Sequence, residues 1–288
     1  MKYESYPAPR SAFQLVAIDL DGTLLNSCHE LTALNADAIR EMILRRIHVV
    51  LASGRQYVAI CPWLEKLKLS GLQIACDGAQ IVDAQSGHVW FEHRLPAMLA
   101  RRILEIGTQL GATMVVARDG NTFVSRLNAD TEYMMSFGDP APAVVSSLLS
   151  VLAPAPTHIM GIASSDPSRF SALVDEFRRL LDSEVAIRLS SPYYIEFHHP
   201  SVNKGMALLK IRRHLNVPKA ATLSIGDGQN DIPLFEESGY SVAMSHSAQD
   251  VKDVASEVAT INESEVAQAI AKLVLDENWN TWHKAKTE

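Results

Sequence analysis

Short apolar runs that end in Asp, Ser or Gly and then give way to helical periodicity constrain the fold of this chain more than any other feature. Residues 13–20, FQLVAIDL, are apolar and rich in residues that favour a buried strand. Residues 32–46 place Leu34, Ala38, Ile39, Met42 and Ile43 at helical spacing. Residues 49–52 predict a second strand, residues 56–66 a helix, and residues 72–76 a third strand. Pro62 falls inside the second helix, where it is expected to kink it or shift its start. Strand, helix, strand, helix, strand is the order of a parallel α/β sheet, because parallel strands need a crossover between them.

The order then changes. Residues 80–83 and 88–92 flank Ala84-Gln85-Ser86-Gly87 and predict a β-hairpin. Residues 96–110 are helical, and residues 113–117 and 122–125 flank Asp119-Gly120 as a second hairpin. Strands at 158–163, 185–189 and 193–198 and a helix at 167–181 complete an α+β stretch, with loops expected around residues 139–142 and 153–156. Parallel order resumes with a helix at 204–215, a strand at 222–225, a helix at 232–237, a strand at 241–244 and a helix at 263–275. The tail carries Trp279 and Trp282 without periodicity. The fold class is α/β: a core domain split in sequence, residues 1–92 and 197–288, with an α+β domain at 93–196 inserted between its halves.

Composition narrows the function classes. Hydrophobic residues at 47% and charged residues at 20% are ordinary globular usage, which excludes a disordered chain or a disulfide scaffold. Twenty-six basic against 33 acidic residues give a net charge of −7, which argues against nucleic-acid polymers as partners but leaves room for a local basic pocket. No apolar run reaches the ~18–20 residues of a membrane span, and the N-terminal residues show no signal-peptide apolar segment, so no membrane is expected. Cys28, Cys61 and Cys76 are odd in number and form no CxxC, so each is expected to be a small buried residue in a reducing cytoplasm. The ten histidines make no zinc pattern, and His198-His199 reads as a strand end. Oligomeric state leaves no mark in the sequence.

Four motifs carry candidate chemistry. Asp19-Leu20-Asp21-Gly22-Thr23 ends the first strand, and two-residue alternation directs Asp19 and Asp21 to the same side. Ser53-Gly54-Arg55 follows the second strand and precedes a helix, offering a hydroxyl and backbone donors to an anion. Lys204, in Asn203-Lys204-Gly205, stands at a helix start, where a bound anion would offset the unfavourable dipole. Gly226-Asp227-Gly228-Gln229-Asn230-Asp231 follows a late strand with two further carboxylates and an amide, oxygen ligands of the kind Mg²⁺ takes. Singly, each also fits an ordinary turn or a surface residue. Jointly they place carboxylates, a cation and donors on one rim of one sheet, a set suited to metal-assisted phosphoryl transfer.

With DLDGT at 19–23, SGR at 53–55, DGA at 77–79, NKG at 203–205 and GDGQND at 226–231 in this order, the chain resembles the haloacid dehalogenase superfamily of phosphohydrolases, and more closely its Cof-type branch. The resemblance implies a Rossmann-like core with a cap domain inserted after the third strand, and a Mg²⁺-dependent phosphatase of a small phosphorylated metabolite. It implies that Asp19 is the nucleophile, forming an aspartyl phosphate, and that Asp21 is the general acid and base. Mg²⁺ would be held by Asp19, the backbone carbonyl of Asp21 and Asp227. Asp231 would support the metal's water shell or orient Lys204, while Ser53, Gly54, Lys204 and Asn230 would hold the phosphoryl oxygens. The alternatives are a phosphotransferase or phosphomutase on the same core, or a binding protein without turnover; DLDGT argues against a dehalogenase. Two stretches depart from the family's pattern: Asp77-Gly78-Ala79 stands where Asn-Gly-Ala is usual, and Ser245-His246-Ser247 where Gly-Asn-Ala is usual. Neither touches the nucleophile, acid or metal positions, so they bear on substrate choice.

Overall fold

The structure, a computed structural model, describes residues 13–136, 141–164, 166–181, 184–191, 193–260, 264–275 and 279. Residues 1–12, Asp139 and Pro140 of the expected loop, Glu263 at the expected start of the last helix, and Trp282 lie outside these.

The first part of the chain forms β1 (Leu15–Asp19), α1 (Ala33–Leu44), β2 (His48–Ala52), α2 (Tyr57–Leu67), β3 (Leu72–Ala75), β4 (Gln80–Asp83) and β5 (Val89–Glu92). The middle forms α3 (Ala97–Gln109), β6 (Thr113–Arg118), β7 (Asn121–Val124), α4 (Ala129–Ser136), β8 (Ala143–Val144), β9 (His158–Ile162), α5 (Pro167–Leu181), β10 (Ala186–Ser191) and β11 (Tyr194–His198). The last part forms α6 (Lys204–His214), β12 (Thr222–Gly226), α7 (Ile232–Glu236), β13 (Tyr240–Ala243), α8 (Gln249–Val254), β14 (Glu257–Val258) and α9 (Glu265–Ile270).

Among the described residues these strands make two sheets. The first has the order β14-β13-β12-β1-β2-β3-β4-β5 and joins the two ends of the chain. It is parallel from β14 to β3 and antiparallel at β4 and β5, so the hairpin expected at 80–92 closes one edge. The second has the order β10-β11-β9-β6-β7-β8 and holds the middle of the chain. The α/β class with a capped parallel core therefore holds. The chain leaves the second sheet after His198, so β11 runs through residue 196, where the inserted stretch was expected to end.

Burial on both faces explains the composition of the central strands. Along β1, Val16 and Ile18 join one apolar cluster and Leu15 and Ala17 another, so no position alternates to polar until Asp19. In β11 the alternation is visible: Ile195 and Phe197 pack with Phe177 and Leu181 of α5, whereas Tyr194, Glu196 and His198 occupy the opposite parity.

Helix starts follow cap chemistry. Thr32 accepts the Asn35 N–H at α1, and Asn203 accepts the Met206 N–H at 2.7 Å, which starts α6 with Lys204 as its first residue. Pro62 sits inside α2 without ending it. Its missing donor faces the carbonyl of Val58, a residue on the exposed side of the helix where water can serve instead. Cys76 is buried and Cys61 half-buried, but Cys28 is exposed, contrary to expectation: it lies in the solvent-facing turn before α1. Helices α4 and α8 were not legible beforehand; both are short, and α4 has little amphipathic pattern.

Candidate active site

The parallel register sets the site. Asp19 lies opposite Ala52, and Ile18 lies opposite Ile225, so the carboxyl ends of β1, β2 and β12 reach one rim together. Ser53-Gly54, Asp77 and Asp227 continue from the ends of β2, β3 and β12 onto that rim. Gly22 has φ +77°, and a side chain there would collide with the Asp227 carboxylate, so the turn after β1 can approach Asp227 only with glycine.

Asp19 is buried. Its Oδ1 accepts a hydrogen bond from Lys204 Nζ at 2.6 Å, while Oδ2, also buried, has no hydrogen-bond partner. Lys204, which sequence alone could equally have left on the surface, is fully buried and also donates to Asp231 Oδ1 at 2.7 Å. Asp231 Oδ2 accepts the backbone N–H groups of Asp227 and Gly228, each at 3.0 Å, and so fixes the loop that presents Asp227. Thr23 donates to Asp227 Oδ1.

The charge balance is unequal. Burial pushes the Asp19 carboxyl well up; Lys204 pulls it down, but Asp231 and Asp227 push it further up. Burial and Asp231 likewise raise Asp227. Burial alone would lower the Lys204 ammonium, but Asp19, Asp231 and Asp77 outweigh it and hold it charged. Asp19, Asp227 and Asp231 bring carboxylate oxygens within 4.8 Å of one another around one lysine. Both Asp231 oxygens are committed, whereas Asp19 and Asp227 offer neighbouring carboxylates, a donor set that fits a hard divalent cation.

Asp21 stands on the same rim in extended backbone. Arg55 grips its carboxylate with two prongs, Nε to Oδ2 at 2.7 Å and Nη2 to Oδ1 at 2.5 Å, and His29 Nδ1 lies 3.3 Å from Oδ1. Arg55 was within the Ser53-Gly54-Arg55 motif yet had no role assigned; its position directly after the anion loop was the available signal. Ser53 is buried, with Oγ accepting the Arg55 N–H, and a side chain at Gly54 would come up against the Asp77 carboxylate. Asn230 donates from Nδ2 to Asp77 Oδ1 at 2.9 Å. The site residues expected from the sequence thus share one rim.

Both departures from the family's pattern lie here. Asp77 is buried in a left-handed turn, φ +52°, and its Oδ2 lies 3.7 Å from Arg188 Nε of β10. Burial raises its carboxyl, but Lys204, Arg188 and His198 outweigh that and hold it below the usual range. Ser245 is bound to Glu265 through its backbone and hydroxyl, which sets His246 Nε2 3.3 Å from Asp227 Oδ2.

A cavity of about 820 Å³ lies between the rim and the second sheet. The core side of its lining includes Asp19, Asp21, Arg55, Asp227 and Asn230; the facing side includes His158, Met160, Phe170, Arg178, Arg188, Tyr194 and Glu196. Nothing in the sequence pattern marked these latter residues. His198, read as a strand end, does end β11, but it also stacks on His158 at 5.0 Å and lies 3.0 Å from Glu196. Asp77, Glu196 and His198 form a second compact polar group.

A sequence profile of the haloacid dehalogenase-like hydrolases matches residues 16–271, and this chain belongs to that family. Within it the chain is an enzyme of the phosphatase type. It is 28% identical over 264 residues to a 5-amino-6-(5-phospho-D-ribitylamino)uracil phosphatase of Bacillus subtilis, covering 91% of this chain and 96% of the relative. It is 25% identical over 268 residues to an HMP-PP phosphatase of Serratia proteamaculans, covering 90% and 93%. Among solved structures, a protein from Thermotoga maritima superimposes with a TM-score of 0.80 at 27% identity, covering 92% of this chain and 98% of that one. A haloacid dehalogenase-like hydrolase from Bacteroides thetaiotaomicron shares the fold with a TM-score of 0.81 at 23% identity, covering 90% and 99%. Among the described residues no helix is long and apolar enough to cross a membrane.

Proposed function

We propose that this chain hydrolyses a small phosphate monoester with the help of Mg²⁺, through an aspartyl phosphate on Asp19. The observation that carries the reading is Asp19 itself, a residue of the cavity lining: one oxygen is anchored by Lys204 and the other is buried and unpaired. A carboxylate so held is positioned to attack, and its desolvation favours bond formation over remaining an ion.

In this reading Asp19 Oδ2 forms a bond to phosphorus as the ester oxygen leaves, and Asp21 gives that oxygen its proton. Arg55 holds the Asp21 carboxylate by both oxygens, the ionised form that takes the water's proton; to act as the acid, Asp21 carries that proton and gives up one of these contacts. Water then attacks phosphorus, Asp21 takes its proton, and inorganic phosphate leaves with Asp19 restored. Lys204, the Ser53 hydroxyl, the Gly54 N–H and Asn230 hold the phosphoryl oxygens. Mg²⁺, held by Asp19, the Asp21 carbonyl and Asp227, would supply positive charge where two anions must meet. Asp231 positions Lys204 and the Asp227 loop. The inserted stretch, bounded near residue 93 and at the end of β11, is the cap over this site, in a chain we place in the cytoplasm.

The test is phosphate release from p-nitrophenyl phosphate with Mg²⁺, with excess chelator, and by Asp19→Asn. Release is expected only in the first case. Full activity in chelator, or in the variant shown to be folded, overturns the reading.

A further inference from the structure

The second sheet meets the core through one of its two faces. Along one row of that face Arg188 of β10 lies opposite Glu196 of β11, and Glu196 opposite Met160 of β9; all three line the cavity. The crossings that join this domain to the core lie side by side, since His93 of the first stacks on His199 of the second at 3.9 Å and 27°. Two adjacent crossings let the domain swing on the core as a unit.

On the core side, Asp77 touches the phosphate pocket in several directions. Its N–H donates to the Ser53 carbonyl at 3.0 Å, and its Oδ1 accepts from Asn230 Nδ2 at 2.9 Å. A side chain at Gly78 would collide with the Asn203 carbonyl, so the same turn is pressed against the start of α6, where Lys204 stands. The Ser53 loop, Asn230 and the start of α6, which carry the phosphoryl-oxygen donors of the reading above, therefore meet at Asp77.

One oxygen of Asp77 is left over. Oδ2 is buried and, among the described residues, has no hydrogen-bond partner; it faces Arg188 Nε, also buried and also without one, across 3.7 Å. A charge-assisted N–H···O bond is about 2.7–2.9 Å long, so the two atoms stand about 1 Å short of bonding. Arg188 already reaches the core elsewhere, through Nη2 to the Val202 carbonyl. Leaving either atom unsatisfied is unfavourable, and Glu196 sharpens this: its carboxylate lies within 4.8 Å of that of Asp77, with Arg188 next to both. Asparagine, usual in the family at position 77, could keep the bond from Asn230 but would offer Arg188 no charge.

We propose that Arg188 and Asp77 are positioning residues for phosphoryl transfer: as the inserted domain closes on a bound substrate, Arg188 Nε and Asp77 Oδ2 come into bonding distance, and the bond seats the domain on the residue that fixes the Ser53 loop and Asn230. The proposal rests on the phosphatase reading above and adds the contact that couples closure to the phosphate pocket of that same site.

The experiment uses Asp77→Asn, Arg188→Gln, the double variant and Arg188→Lys in the full chain. Each is measured for kcat/KM on p-nitrophenyl phosphate with Mg²⁺, and for amide hydrogen exchange at residues 186–189 with and without orthovanadate and Mg²⁺, a phosphoryl mimic that needs no turnover. Either single change should lower kcat/KM by about tenfold, the scale of one charge-assisted hydrogen bond. The double variant should lose no more than either single one, because both remove the same bond. Arg188→Lys should recover part of the loss. Orthovanadate should slow exchange at residues 186–189 in the wild type but not in Asp77→Asn or Arg188→Gln; a mere loss of stability would speed exchange with and without the probe alike. Arg188→Gln carries the comparison if Asp77→Asn fails to fold. Arg179→Gln, which removes an exposed charge from α5, should match the wild type in both readouts. If the wild type hydrolyses p-nitrophenyl phosphate but either single variant stays within about twofold of it, the proposal is overturned while the phosphatase reading stands. The same holds if the two losses multiply in the double variant, or if orthovanadate leaves wild-type exchange at residues 186–189 unchanged. If the wild type does not hydrolyse p-nitrophenyl phosphate, the phosphatase reading fails first, and this proposal with it.

Discussion

Replacing Lys204 by Met tests the electrostatic account at its centre. The side chain is wholly buried and its ammonium donates to Asp19 at 2.6 Å and to Asp231 at 2.7 Å. Met fills similar space, so the change is mainly the loss of one charge facing two carboxylates. Each charge-assisted hydrogen bond contributes ~1.5–3 kcal/mol. Removing one partner from a buried pair typically costs ~3–5 kcal/mol, because the remaining charge is left uncompensated. We therefore expect Lys204→Met to lose about 3–5 kcal/mol of folding stability at pH 7.5, a large part of the ~5–15 kcal/mol a globular protein holds. Urea unfolding in chelator measures it. Adding Asp231→Asn removes one of the two stranded charges and should recover a substantial share of the loss. The deficit should also shrink toward pH 5: without Lys204 the Asp19 carboxyl titrates even higher in the folded state, so the fold takes up a proton that the unfolded chain does not. A loss below about 1 kcal/mol, or no recovery in the double variant, would refute the claim that Lys204 neutralises a buried carboxylate pair.

Asp21→Asn should slow hydrolysis of alkyl phosphates by ~10²–10⁴-fold and of p-nitrophenyl phosphate much less, since that leaving group needs little protonation; equal losses would assign Asp21 to structure instead. In wild-type protein Mg²⁺ should raise the melting temperature, by ~2.7 kcal/mol of linkage at a hundred times its dissociation constant, and Asp227→Asn should abolish most of that rise in a thermal scan without substrate. An undiminished shift would remove Asp227 from the metal's ligands. Burial and His198 push the His158 imidazole down from 6.5 to about 3 in the fold. The unfolded chain therefore binds the extra proton between those values, and stability falls as pH drops below about 6.5, by about 2 kcal/mol at pH 5 from this group. His158→Phe should lose that much less between pH 7.5 and pH 5 in urea titrations; an acid profile parallel to the wild type would contradict the burial argument.

Much of the fold and of the rim was legible beforehand, and the reason is local. A buried parallel strand is largely apolar on both faces, so β1 and residues 49–52 of β2 stand out as unbroken runs, and the residues that end them, Asp19 and Ser53, are the first polar ones. Glycine at 22 is demanded by a left-handed turn against Asp227, so the spacing of the DLDGT motif is itself a record of geometry. Asn203 as a helix cap placed Lys204 at the first turn of α6. What stayed illegible depends on contacts between distant segments. Whether Lys204 is buried turns on Asp19 and Asp231, 185 and 27 residues away. The cap lining gave no signal because its residues alternate with core positions: Glu196 sits between Ile195 and Phe197, and a polar residue at that spacing reads as a solvent-facing strand position.

Sequence by itself thus determined the α/β order, the inserted cap and the residues of the rim, because strand burial, turn geometry and helix capping act over a few residues. Only the tertiary structure decided that Arg55 grips Asp21, that Asp77 faces Arg188, that His158 is buried and that Arg178 lines the cavity. Those relations arise where the second sheet meets the first. Side-chain partners there are chosen by packing across the crossing, which no local pattern of residues encodes.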